Sequence, residues 1–114
     1  MNGPYIPYRR VSDASNNALV VKAQRGYIGY VSALNINAAV RYLHVFDQPD
    51  TPQPTLDTPV LTLPIPAAGQ ALLSIGDGMQ FLRGIAIMIT TTNGPTPASG
   101  PVAANEITVN IGWA

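Results

Sequence analysis

The side chains able to carry chemistry are few in this chain of 114 residues, and they are scattered. His44 is its one histidine, and it has no cysteine. A hydrolytic triad needs a nucleophile, a base and an orienting acid within hydrogen-bond reach. Ser32 and Ser74 could serve as nucleophiles, but neither stands in the Gly-x-Ser-x-Gly spacing of a nucleophile elbow. His44 shares a strand face with Val40, Tyr42 and Phe46, which reads as a packed ring with satisfied nitrogens. Thiolate and multi-histidine metal sites have no ligands to draw on. Asp47, Asp50 and Asp57 flank a proline-rich stretch, and Asp77 stands between Gly76 and Gly78. Paired carboxylates can hydrolyse glycosides or bind calcium. These acids lack the calcium-loop spacing, and aspartate in such turns commonly bonds its own backbone. Gly76-Asp77-Gly78 also lacks the lysine and the following helix of a phosphate cradle. The sequence points away from an enzyme and predicts no catalytic residue, no cofactor and no metal.

The elements that would position these residues are strands. Residues 18–23, 27–34, 39–47, 59–66, 71–75, 80–91 and 105–113 are rich in β-branched and aromatic types, with turn signals between them. Gly29 interrupts the second run and marks a bulge or a close backbone approach. Pro59, Pro64 and Pro66 make the fourth an edge strand or a strand entering a bend. Residues 80–91 are apolar on both faces, as in a strand covered on both sides. In the last run Ile107, Val109, Ile111 and Trp113 face in, while Glu106, Thr108 and Asn110 face out. Gly76-Asp77-Gly78 ends one strand, and loops are expected at 48–58 and 92–104. No window shows a 3.6-residue period longer than about two turns. The fold class is all-β, a single β-sandwich or small barrel.

Residues 1–17 read as an extended N-terminal arm ahead of a sandwich over 18–114. Pro4 and Pro7 bias their predecessors away from helix, and residues 12–17 form a polar joint. Seventeen extended residues reach roughly 56–61 Å, enough to cross onto a neighbouring subunit. Tyr5, Ile6, Tyr8, Arg9 and Arg10 are the candidate anchors of that arm, because arginine and tyrosine dominate protein contacts. Trp113 is the remaining candidate contact, in phase with the inward face of the last strand.

Six basic and six acidic residues balance to zero, and only 11% of the chain is charged, against about 25% in a typical soluble domain. A nucleic-acid partner is not expected, since no basic stripe could displace counterions. Membrane spans are not expected either, because no apolar run approaches the roughly 20 residues required. No leader-like stretch opens the chain, which reads as made in the cytoplasm. Near-zero net charge favours association, and a dimer or trimer of the chain is expected.

Three stretches carry a resemblance: Thr58-Pro59-Val60-Leu61-Thr62-Leu63-Pro64-Ile65-Pro66-Ala67, Gly84-Ile85-Ala86-Ile87-Met88-Ile89-Thr90 and Val102-Ala103-Ala104-Asn105-Glu106-Ile107-Thr108-Val109-Asn110. An upstream aromatic strand ends in Asp47 before a proline-rich loop. Over about residues 18–113 this pattern resembles small virion proteins of tailed double-stranded DNA bacteriophages. The resemblance implies a jelly-roll-like subunit that acts as a head decoration, cement or staple protein. It would sit on the capsid exterior, bind the major capsid protein lattice and stabilise the head. The alternative is a carbohydrate-binding or host-adhesion module of a tail or head appendage, using Tyr27, Tyr30, Tyr42 or Trp113 on one exposed face.

Overall fold

A computed structural model describes residues 5–94 and 100–114. Residues 1–4 of the expected arm and 95–99 of the expected 92–104 loop lie outside them. Eight strands follow one another: β1 Ile6–Val11, β2 Leu19–Lys22, β3 Gly26–Asn35, β4 Arg41–Phe46, β5 Leu61–Ile65, β6 Gly69–Phe81, β7 Ile85–Thr90 and β8 Ile107–Trp113. They form two four-stranded antiparallel sheets, β1-β8-β3-β6 (sheet A) and β2-β7-β4-β5 (sheet B). First pairs with last throughout: β1 with β8, β2 with β7, β3 with β6, β4 with β5. That order is a jelly roll, a long double hairpin rolled into two facing sheets.

The alternation within the strands builds the core. Ile28, Val31 and Ala33 of β3 and Ile107, Val109 and Ile111 of β8 are buried against Leu43 and Val45 of β4 and Ile85, Ile87 and Ile89 of β7. β7 is buried along its whole length, as its two apolar faces predict. Its other face joins Phe46, Ala86 and Met88 in a second cluster, flanked by Ala18 and Val20.

Four expectations need correction. The arm is not free over residues 6–11: β1 is the edge strand of sheet A, with Tyr8 opposite Ile111 and packed on the core. An edge position tolerates Pro7, which has no N–H to donate. Gly76-Asp77-Gly78 does not end a strand. β3 and β6 break register between Ile28 and Tyr30 and then resume pairing, so those glycines form a bulge inside β6. The expected 80–91 strand divides, with Phe81 ending β6 in sheet A and Ile85 opening β7 in sheet B. Finally, Glu106 is not outward: it is 5% exposed, because it precedes β8 and turns beneath the loops.

Candidate functional site

Because every strand lies antiparallel to its mirror partner, the connections gather at two ends of the sandwich. Loops 12–18, 36–40 and 66–68 meet at one end with residues 91–94 and 100–106. Loops 23–25, 47–60 and 82–84 meet at the other, with Tyr5 and Ala114.

The first end is tied together from beneath. Arg41 opens β4 and its Nε donates to Glu106 Oε2 at 2.9 Å, with 15% and 5% of the two side chains exposed. Asn37 Nδ2 donates to Glu106 Oε1 at 2.5 Å, and Ala103 N donates to Oε2 at 3.4 Å. Asn35, buried at the end of β3, donates from Nδ2 to the carbonyls of Ala39, Ile65 and Pro66. The main chain adds Ala68 N to Asn37 O at 2.7 Å and Ile36 N to Glu106 O at 3.2 Å. Ser12 Oγ donates to Ala103 O and accepts from the N–H groups of Glu106 and Ile107. Asn17 Oδ1 accepts from Arg10 Nη2 at 2.7 Å, and Arg10 also pairs with Asp13 at 3.1 Å. Thus the polar joint expected at 12–17 is a hydrogen-bonded knot.

Above this network the loops present small apolar residues. Ala38-Ala39, Ala67-Ala68 and Ala103-Ala104 are exposed, beside Ile36 at 68% and Val40 at 37%. All four charged side chains of this end, among the described residues, are spent in the two ion pairs, and residues 95–99 carry none in sequence. The opposite end differs. Exposed Arg25, Asp50 and Arg83 lie there beside exposed Leu56, Val60 and Leu82, and Asp47 clamps the corner between the sheets. Its carboxylate accepts the N–H groups of Leu82, Arg83 and Gly84 at 3.1, 2.8 and 3.3 Å. Partial burial pushes the Asp47 carboxyl up, but these bonds and the Arg83 charge outweigh it and hold the group below its ordinary value.

His44 is fully buried on the outer side of sheet B. The Thr90 hydroxyl donates to Thr92 O at 2.7 Å, so Thr90 Oγ1 must accept from His44 Nε2–H at 2.8 Å. Nδ1 is then the acceptor for Thr62 Oγ1 at 3.0 Å. Burial lowers its pKa, against a smaller opposing effect of the Thr92 carbonyl. The ring is a satisfied packed histidine, as its strand position predicts. Among the described residues, no group of three acids or histidines stands close enough to hold a metal ion.

The sequence-chosen contact residues fall in different places. Ile6 and Trp113 are paired across β1 and β8, and Ile6 is 51% exposed. Lys22 Nζ lies 5.4 Å from the Trp113 ring centroid, within cation–π range, and that ring packs on the core edge. Tyr8 lies on the core and Arg10 is held inside the knot; burial raises the Tyr8 pKa, with Arg10 opposing. Arg9 is exposed. Tyr5 lies on Gly29, where a Cβ would strike its ring; this is the close approach that Gly29 signals. Its buried hydroxyl has no hydrogen-bond partner among the described residues. Tyr30 covers Gly112 on the outside of sheet A, whereas Tyr42 stacks on His44 in sheet B. Tyr30, Tyr42 and Trp113 therefore share no single platform. The neutral end went unread in the sequence, although three Ala-Ala pairs at turns, where polar residues are usual, were its signal.

No known protein family matches the sequence, and no curated protein does. Among solved structures, the coat protein of Tobacco streak virus is similar at 10% identity and a TM-score of 0.37, over 98% of this chain and 88% of that one. The jelly-roll assignment rests on the strand order of the chain itself.

Proposed function

We propose that this chain is a structural protein of a virion, a head decoration or cement protein that binds the outer surface of the capsid lattice and stabilises the head. The observation that carries the reading is the neutral, apolar end on a cross-tied jelly roll. Such an end can bury against another protein without leaving a charge unpaired. The sequence resemblance to phage virion proteins points the same way, and the near-absence of net charge suits a subunit covered by protein. Exposed Ile6 and Arg9 on the edge strand offer a second contact.

Quantitative mass spectrometry of heads and tails purified separately from particles of the encoding genome tests the reading. The chain is expected in the head fraction, in a copy number set by the lattice. Heads lacking it should open at lower temperature than complete ones. Recovery in the tail fraction alone, or absence from particles, overturns the proposal.

A further inference from the structure

We propose that a second copy of this chain pairs with the free edge of β6, so that two copies of sheet A join across a two-fold axis into one eight-stranded sheet. The pairing goes beyond the head-protein reading and does not depend on it.

The four sheet edges are not alike. β1 carries Pro7, Arg9 and Arg10, and β2 has only four residues, a register shift and Lys22. β5 has five residues, Pro64 among them. Short strands, prolines, charges and bulges are the devices that keep an edge from pairing. Over Gly69–Ser74, β6 has none of them. That run pairs with β3 on one side and with no described strand on the other. The bulge and Asp77 come only after it. The side chains show the same opening. Val31 and Ala33 of β3 are buried, whereas Leu73 and Ala71, opposite them on β6, stay half-buried. On the outer face Leu72 is 69% exposed.

The run is complementary to itself. A two-fold axis through Leu72 sets two copies of the strand antiparallel. Gln70 then stands opposite Ser74 of the second copy, Ala71 opposite Leu73, and Leu72 opposite Leu72, so outer residues meet outer ones and inner meet inner. A charged strand would be set against its own like charge across such an axis. Residues 70–74 carry no charge. A different protein is selected by complementary charge, and this run offers none to read.

Sedimentation velocity and amide hydrogen exchange of the full-length chain, across a concentration series, test the pairing. The parent chain should dimerise. Exchange over residues 70–74 should slow as the dimer fills, because alternate N–H groups on the free side gain acceptors. Leu72→Lys should raise the dimer dissociation constant at least about tenfold, with the fold retained by circular dichroism. Leu34→Lys is the control: Leu34 is 46% exposed on the same outer face but lies on the interior strand β3, and this variant should dimerise like the parent. A parent chain that stays monomeric overturns the proposal. So does a dimer whose exchange over 70–74 is unchanged. A dimer that Leu34→Lys breaks and Leu72→Lys spares also overturns it, since the sheets would then meet through their faces.

Discussion

The two ends of the sandwich solve the same problem, joining one sheet to the other, in opposite ways. At one end a set of polar groups is bonded inside: Glu106, Arg41, Asn35 and Ser12 lie beneath exposed alanines. At the other, one carboxylate at the surface, Asp47, holds the corner and charged side chains face water. Polar residues left to water keep a surface soluble. Polar residues drawn under a surface fix its shape and leave it free to be covered. The difference lies in where the polar groups are spent: beneath the loops at the first end and at the surface at the second.

Removing a polar group should therefore cost far more at the first end. Glu106→Ala strands the mostly buried Arg41 and two other donors, Asn37 Nδ2 and Ala103 N, and the expected loss is about 3–5 kcal/mol in urea unfolding. Arg83→Ala at the opposite end should stay within about 0.5 kcal/mol. Equal losses would erase the contrast. Asp47→Ala should fall between them, at about 1 kcal/mol, because water can replace the carboxylate at an exposed corner.

Acid should sharpen the comparison by separating two windows. His44 has a folded-state pKa below its ordinary 6.5, so the unfolded chain takes up its proton first. Its contribution is complete above 6.5 and falls as pH drops from there through the folded value. Asp47 has a folded-state pKa below its ordinary 3.8, so its contribution holds above 3.8 and is lost only at lower pH. Melting temperature should decline in two stages on acidification. His44→Asn should remove the first stage and Asp47→Asn the second. A single stage that neither variant changes would contradict both assignments. The smallest expected effect is at Ala68, which adopts φ 48° in the turn between β5 and β6. Ala68→Gly should raise stability by at most about 1 kcal/mol, read as a small rise in melting temperature.

Much of the β architecture was legible because burial writes itself as period two. The last strand shows this in Ile107, Val109 and Ile111, and the strand 85–90 shows two apolar faces that both became buried. Gly29 announced the close approach of Tyr5. The joint at 12–17 was legible as polar, though its knot around Asn17 was not. The arm misled because Ile6–Val11 has prolines and no strict alternation; it is a strand only because β8 offers it an edge. The division of 80–91 was hidden because Gly84 is a weak local signal and the group that turns the corner is distant. The stop is Asp47, 36 residues earlier in the chain.

The sequence by itself determined that the chain is all-β and sparingly charged, with one histidine and no cysteine, since composition and periodicity are properties of neighbours along the chain. Only the tertiary structure decided the jelly-roll order, the place of β1 and the character of the two ends. Those depend on hydrogen bonds and ion pairs between residues such as Arg41 and Glu106, separated by 65 positions, and no local pattern encodes which distant partner a buried charge will find.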